Sequence, residues 1–214
     1  MLAYRSRYFN LIAPFLWHYI AKRNGHKLAA RCYHNARPIY RDMLAKAPNV
    51  GAKNPMAHNI YMALVFFAMY RASGGELTKE DLRAAVGDFM DMPLMHLIGR
   101  MDDLNTPQTR ARFERNSRQN EQWRLDHLDQ IDASWDFNFD GGPQGDGVWY
   151  YFTYCPINQF CRENGLLDVL PIMCDIDYKS CALAHGVLRR EHTLALDGKV
   201  CDYWMVGDGG KGPR

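Results

Sequence analysis

The chain has 214 residues, a length that suits one large domain or a helical layer joined to a smaller α/β unit. Hydrophobic residues make up 47% and charged residues 23%, as in most globular proteins, so the composition excludes extensive disorder. The formal net charge of +2 is too small to indicate a nucleic acid or a membrane as partner, because both require a concentrated basic surface. We therefore expect a small-molecule substrate, and assembly into a homo-oligomer stays open.

Cysteine usage and apolar run lengths bear on location. The chain has six cysteines, and no basic, apolar and small-residue signal segment precedes them, so we expect a reducing, cytoplasmic setting. The apolar runs LIAPFLWHYIA and IYMALVFFAMY are each about 11 residues long, whereas about 20 are needed to cross a bilayer. Neither run is expected to span a membrane.

Helical patterns occupy residues 1–130. Amphipathic, aromatic-rich segments come first, and the nearly uniform apolar stretch NPMAHNIYMALVFFAMYRA is typical of a central helix. A later helix is predicted to begin at Thr78, with Asp81 as the acid of a capping box. The arginine-rich segment after Pro107 also carries acids, so we interpret it as a solvated helix face. These residues are predicted to form a helical layer.

The pattern changes period after Ile131. The alternating, aromatic stretches ASWDFNFD and GVWYYFTYC predict strands, and a helical segment follows from Pro156 to Ser180, with a break at Asn164-Gly165. Residues 131–206 are predicted to form an α+β portion in one compact unit with the helices, and residues 207–214 a flexible tail. The predicted fold class is α+β: an N-terminal helical layer packed on a C-terminal, mainly antiparallel β-sheet with helices.

Asp197-Gly198 predicts a two-residue hairpin turn between the last two strands. In that register Leu194 faces Cys201, and His192 faces Tyr203. Because strand side chains alternate, two faces follow. The core-facing set is Leu188, His192, Leu194, Leu196, Cys201, Tyr203 and Met205, and the opposite set is Arg189, Glu191, Thr193, Asp202 and Trp204.

The stretch VLPIMCDIDYKSC places an acid within an apolar helix face. At about 100° per residue, Asp177 lies near the middle of the face that also carries Cys174 and Cys181. Burial raises the pKa of a carboxyl group, which suits acid–base chemistry, and a neighbouring thiol can act as a nucleophile. The alternative is a buried Asp satisfied by the backbone or a tyrosine, with Cys174 as a small core residue.

Two further positions are candidates. Cys155 ends the aromatic strand before Pro156, at a strand-to-helix junction where a helix N-terminus favours anions; its alternative is an inert buried thiol. His192 is either a core histidine bonded to Tyr203 or a group that orients the substrate. The role of His58 stays open.

Neither a cofactor nor a metal is predicted. The chain contains no Walker loop, dinucleotide fingerprint or His-Glu-x-x-His motif, and no Cys-x₂₋₄-Cys knuckle of the kind that structural zinc favours. Convergence of Cys155, Cys174 and Cys201 on a metal in space nonetheless stays open.

The C-terminal motifs resemble the L-2-amino-thiazoline-4-carboxylic acid hydrolase-like family. The matching elements are an aromatic strand ending in Cys155, a helix with Cys174-x-x-Asp177, and a hairpin carrying Thr193-Leu194-Ala195, Gly198 and Cys201-Asp202. The resemblance covers about residues 145–205, and extends to the N-terminal helices only in general character.

This resemblance implies ring-opening hydrolysis of a small cyclic amidine to a carbamoyl-cysteine. Such a reaction needs a nucleophile, a proton carrier and a cation for the substrate carboxylate. The implied catalytic residues are Cys174, Asp177 and Cys155. The implied substrate-binding residues are Cys201, His192, Thr193 and Arg189, with Arg190 as an alternative cation. Cys155, Cys174, Asp177 and Cys201 are expected to share one pocket between the sheet and the helix. An enzyme acting on another cyclic amide or imine, and a non-catalytic ligand-binding module, are the alternatives.

Overall fold

The computed structural model describes residue 2 and residues 6–210. This part of the chain contains eight α-helices and four strands, and six of the helices precede the first strand. The elements are α1 (Ser6–Asn24), α2 (His26–Lys46), α3 (Ala57–Ala72), α4 (Lys79–Met90), α5 (Pro93–Gly99), α6 (Pro107–Leu125), β1 (Phe137–Asn138), β2 (Val148–Phe152), α7 (Pro156–Glu163), α8 (Leu170–Leu183), β3 (Gly186–Arg189) and β4 (Cys201–Gly207).

Helix α3 is the centre of the helical layer. Ile60, Leu64 and Phe67 have no exposed surface, and α1, α2, α4 and α7 pack around them. A helix that is apolar on all sides has no face to offer to water, so its neighbours must enclose it. The prediction of a central helix is confirmed, and α3 is placed to form one wall of the site described below.

The start of α4 confirms the predicted capping box. The hydroxyl of Thr78 accepts a hydrogen bond from the Asp81 amide at 3.1 Å, and the Asp81 carboxylate accepts one from the Thr78 amide at 2.9 Å. Both amides lack partners within the helix, so this reciprocal pair satisfies them and fixes where the helix begins.

All pairs in the four-stranded sheet are antiparallel, in the order β1-β2-β4-β3. The inner face is aromatic: Phe137, Tyr150, Phe152 and Tyr203 contact one another with ring centroids 4.7–5.4 Å apart. One cluster of buried side chains extends from α1 to β4, so the helical layer and the sheet share a core. The α+β fold class is confirmed.

The tight hairpin predicted at Asp197-Gly198 is wrong. Strands β3 and β4 are antiparallel neighbours, but Arg189 lies opposite Trp204, whereas a two-residue turn would place it opposite Val206. Residues 190–200 form a loop with a short 3₁₀ turn at Leu194–Leu196. Thus His192, Leu194 and Leu196 do not belong to a strand.

Asp202 on β4 is the physical reason for this loop. Its carboxylate accepts hydrogen bonds from the amides of Glu191, at 3.0 Å, and His192, at 2.6 Å, which removes both amides from strand pairing. The register moves by two residues, and side chains on a strand alternate with a period of two. Each β4 side chain therefore keeps its predicted face, and Cys201 and Met205 are buried.

Beyond the predicted end of the sheet at residue 206, the chain remains hydrogen-bonded to the rest of the protein. Gly207 pairs with Gly186, the Asp208 amide donates to the His185 carbonyl at 3.0 Å, and the Gly209 amide donates to Asn105 Oδ1 at 2.9 Å. The rest of the predicted tail, residues 211–214, lies outside the described residues. Within the described ranges, no helix is both long and apolar enough to cross a bilayer.

Candidate active site

A cavity of about 180 Å³ lies between α3, the inner face of the sheet, and helices α7 and α8. Its walls come from elements distant in sequence. The lining residues are Met56, Asn59, Met62, Ala63, Phe66, Trp135, Tyr150, Phe152, Cys155, Ile157, Leu170, Met173, Cys174, Ile176, Asp177, Cys201 and Tyr203.

The structure brings four of the sequence candidates together in this cavity: Cys155, Cys174, Asp177 and Cys201. Cys155 precedes α7 and Cys201 begins β4, while Cys174 and Asp177 lie one helical turn apart on α8. The α8 face that carries them also buries Leu170 and Met173. Packing this apolar stripe onto the sheet therefore carries the thiol and the carboxylate into the cavity.

Three other candidates do not line the cavity. The side chain of His192 is 59% exposed in the loop. Thr193 reaches the cavity only through a lining residue: its hydroxyl accepts a hydrogen bond from the Cys201 thiol at 3.5 Å. The Arg189 guanidinium lies 4.6 Å from the centre of the Trp204 ring, on the outer side of the sheet. His58 is also outside the cavity, with Nδ1 at 2.8 Å from the Pro55 carbonyl.

Asp177 is paired. Its Oδ2 accepts hydrogen bonds from Arg190 Nη2 at 2.8 Å and from the Tyr203 hydroxyl at 2.9 Å. Its side chain is 37% exposed, so it is only partly buried, and this corrects the expectation of a carboxylate enclosed in the apolar face. The pairing explains how an acid is tolerated there.

Arg190 is the cation that pairs with Asp177, and its side chain is only 3% exposed. Nε donates to the Asp202 carbonyl at 3.2 Å, Nη1 to the Cys174 carbonyl at 3.3 Å, and the guanidinium lies 4.1 Å from the Tyr203 ring centre. Burial alone lowers the pKa of Arg190, but Tyr203 and Asp177 together raise it above its ordinary value. Alternation placed Arg189 on the outer face of the sheet, but Arg190 lies beyond the end of β3, and only the tertiary structure brings it to Asp177.

Cys155 occupies the N-cap position of α7, with extended backbone. Burial, and to a lesser degree the nearby Cys201, raise the pKa of its thiol to about 12. The amides of Asn158 and Ile157 and the side chain of Trp135 act in the opposite direction and lower the pKa of the thiol. Cys155 is thus a protonated thiol at neutral pH, and it lies at a helix N-terminus, which favours the anion it becomes on losing its proton.

Cys174, the second thiol at the cavity, lies within α8, and no hydrogen-bond donor among the described residues lowers its pKa. Burial raises the pKa of Cys174 above its ordinary value, and Asp177, Cys155 and Cys201 raise it further, while Arg190 lowers it. Cys161 has no exposed surface, and burial raises its pKa as well, but it does not line the cavity. Of the two cavity thiols Cys155 and Cys174, the pKa of Cys155 is raised less, so Cys155 forms a thiolate more readily.

Some residues of the cavity were missed as candidates. Tyr150 stacks on Tyr203 with ring centres 4.8 Å apart, and burial raises the pKa of both hydroxyls, so both are neutral donors. The alternation of β2 pointed to Tyr150, since Val148 and Phe152 share its face. No sequence pattern pointed to Asn59 or Trp135, which reach the cavity through tertiary packing alone.

The three thiols at the cavity do not form a metal site. In the ranges 2 and 6–210, no group of three or more His, Cys, Asp or Glu side chains is arranged to hold a metal ion. All six cysteines are free.

The architecture is that of an α+β protein with a thiol-lined cavity between a helical layer and an antiparallel sheet. The chain belongs to the L-2-amino-thiazoline-4-carboxylic acid hydrolase family, whose profile matches residues 58–205. Comparison with curated proteins and with solved structures gave no match. The matched span holds every residue that lines the cavity except Met56. This is a family of hydrolases.

Proposed function

We propose that the protein is a hydrolase that opens a small cyclic amidine, with Cys155 as the nucleophile and Asp177 as the group that holds the amidine. The observation that carries this proposal is the position of Cys155, which lines the cavity and occupies the N-cap position of α7, where the free amides of the helix favour an anion. Membership of a family of cyclic-amidine hydrolases supports the reaction class.

The raised pKa of Cys155 determines how the reaction begins. A thiol that stays protonated needs a base, and the basic ring nitrogen of the amidine is that base. As the sulfur bonds to the amidine carbon, the thiol proton moves to this nitrogen. The N-terminus of α7 stabilises the negative charge that develops on the sulfur of Cys155 before the new bond is complete.

Ring opening and hydrolysis then follow, here written for a 2-amino-thiazoline. The bond between the amidine carbon and the ring sulfur breaks, and that sulfur leaves as a thiol with a proton from the exocyclic amino group. Water adds to the carbon now held by Cys155, the carbon–Sγ bond breaks, and the thiol of Cys155 is restored with a proton from water. The product is a urea-type carbamoyl compound that keeps both amidine nitrogens.

Asp177 is suited to holding the amidine. Oδ2 is occupied by Arg190 and Tyr203, whereas no hydrogen bond engages Oδ1 among the residues that the structure describes. The N–H groups of an amidine can donate to Oδ1, which orients the ring toward the thiols. Arg190 and Tyr203 act as positioning residues, because they fix the plane and direction of this carboxylate.

Cys174 and Cys201 complete the polar part of the wall. We assign the attack to Cys155 rather than Cys174, because only Cys155 lies at a helix N-terminus, whereas Cys174 lies within α8. Cys174 then contacts the bound ring one helical turn from Asp177. Cys201 is held by the loop, since its sulfur accepts the Leu194 amide at 3.2 Å, and it presents a fixed thiol to the substrate.

The test is turnover of 2-amino-thiazoline-4-carboxylate and a panel of cyclic amidines, lactams and imines, read by mass spectrometry. We expect Cys155→Ser to lower kcat/KM by at least about 1,000-fold, and Cys174→Ser to lower it less. Cys161→Ala is the matched control, because Cys161 is a buried thiol outside the cavity, and it should keep its activity. Full activity in Cys155→Ser would overturn the assignment.

A ligand-binding module is the second candidate. Two observations favour it: the cavity wall is mainly apolar, and Asp177 is already paired with Arg190. A protein of this kind would retain a tightly bound metabolite through purification and turn over no member of the panel. Turnover of a lactam or an imine, but of no amidine, would instead support an enzyme acting on a different cyclic substrate.

A further inference from the structure

The polar groups of the cavity are neutral, apart from one carboxylate. Besides its three thiols, the polar lining consists of Asn59, Asp177, the indole N–H of Trp135 and the hydroxyls of Tyr150 and Tyr203. In the described part of the chain, no Lys, Arg or His side chain lines the cavity. A carboxylate on a bound ligand therefore meets no cation there, although carboxylates are normally recognised by one.

The two nearest sources of positive potential are already engaged. Arg190 is 3% exposed, and its three nitrogens donate to Asp202, Cys174 and Asp177. The N-terminus of α7 is occupied by Cys155, which is its N-cap residue. A ligand carboxylate would also lie in the same small cavity as the carboxylate of Asp177, so burial without a partner and repulsion both oppose its binding.

The rest of the wall is apolar. It is formed mainly by α3 and α8, with Met56, Met62, Phe66, Leu170, Met173 and Ile176 as its main side chains. Methionine side chains adapt their shape to a ligand. Contact between this wall and an apolar group on the ligand is favourable, because it removes apolar surface from water.

We infer that the substrate is a cyclic amidine whose ring carries an apolar substituent in place of the carboxylate of 2-amino-thiazoline-4-carboxylate. The inference rests on the proposed function for the amidine ring and goes beyond it for the substituent. Asp177 binds the amidine, and the methionine-rich wall of α3 and α8 covers the substituent.

Binding to Cys155→Ser, measured by titration calorimetry, tests the substituent without turnover. The three probes are 2-amino-thiazoline, its 4-carboxylate and its 4-isobutyl derivative. We expect the isobutyl compound to bind most tightly and the carboxylate at least about tenfold more weakly than the unsubstituted ring. A carboxylate that binds as tightly as the unsubstituted ring would overturn the inference, as would no binding by any probe.

Turnover of the same probes by the unaltered protein separates the two proposals. The expected binding order without hydrolysis would refute the proposed function and leave the ligand class standing. Hydrolysis with the carboxylate preferred would support the function and overturn the inference.

A substitution at Met62 supplies the missing cation. Met62 is partly exposed, so a lysine there can keep its ammonium group near water. We expect Met62→Lys to bind the 4-carboxylate at least about tenfold more tightly than Met62→Gln, the uncharged control of similar length. Equal affinity in the two variants would overturn the claim that the missing cation decides the preference.

Discussion

The pairing of Asp177 with Arg190 gives the carboxylate a structural role beside the chemical role that we propose for it. Arg190 is almost fully buried, and the carboxylate beside it compensates its charge. Removing one partner of such a pair leaves the other charge uncompensated, whereas replacing both with apolar groups is often neutral for stability. A single substitution therefore cannot separate the two roles, and a paired one can.

We expect Asp177→Asn to lower the free energy of unfolding by about 1–3 kcal/mol, because Arg190 loses its anion while the asparagine oxygen keeps one hydrogen bond. This loss of stability is smaller than that expected when a fully buried ion pair is broken, since Asp177 is partly exposed and solvent screens the pair. Asp177→Asn with Arg190→Met should recover thermal stability and remain inactive. A double variant that regains both stability and turnover would show that the carboxylate is structural only.

The protonated state of Cys155 leads to a second expectation at the residue scale. Since burial raises its pKa to about 12, the substrate must accept the thiol proton at neutral pH. We expect kcat/KM to rise with pH through the pKa of the substrate amidinium, because only the free amidine is a base. Two amidines of different basicity should shift the midpoint by the difference in their own pKa values. A midpoint that is the same for both would indicate an enzyme group instead.

At the scale of elements, the loop of residues 190–200 depends on one side chain of β4. Asp202 is 7% exposed and lies between Cys201 and Tyr203, both of which line the cavity. Its bonds to the Glu191 and His192 amides hold the loop that in turn bonds the Cys201 sulfur. This strand and its loop therefore form one unit, and loosening the loop should disturb one wall of the cavity.

We expect Asp202→Ala to lower the free energy of unfolding by about 2–4 kcal/mol, because two charge-assisted hydrogen bonds are lost. Asp202→Asn keeps one acceptor and is the matched control. Its free energy of unfolding should lie between those of the unaltered protein and Asp202→Ala. Hydrogen exchange at the Glu191 and His192 amides should accelerate in the same order. Unchanged exchange in Asp202→Ala would mean that the loop is held by other contacts.

For the whole molecule, folding buries several thiols, and this makes the free energy of unfolding fall at alkaline pH. Burial raises the pKa of Cys155 and of Cys181 to about 12 from an ordinary value of 9.0. The folded state thus retains protons that the unfolded chain has released. This contribution to stability is complete below pH 9 and is lost as pH rises from 9 toward 12.

We expect the free energy of unfolding to fall above pH 9 by at most about 1.4 kcal/mol per pH unit for each such thiol. Chemical denaturation under reducing conditions between pH 8 and 10.5 measures this slope. Cys155→Ala removes one titrating group, so its slope should be shallower than that of the unaltered protein. Parallel slopes would show that Cys155 titrates alike in the folded and unfolded chain.

Local patterns determined much of the fold. The apolar periodicity identified α3 as the central helix, the Thr78–Asp81 capping box marked the start of α4, and the α8 stripe brought Cys174 and Asp177 to one face. Each of these signals depends on residues a few positions apart, whose geometry the backbone repeat dictates. The inward and outward sets of β4 followed from alternation for the same reason, and survived an error in register because the shift was an even number of residues.

Tertiary structure alone decided the loop, the partner of Asp177 and the shape of the cavity. Asp197-Gly198 favours a tight turn locally, but the bonds from Asp202 to Glu191 and His192 outweigh that preference. Asn59 and Trp135 reach the site from elements far from Cys155 in sequence, and Arg190 rather than Arg189 meets Asp177 because of the strand pairing. Contacts of this kind depend on how distant segments pack, and no short sequence pattern encodes that packing.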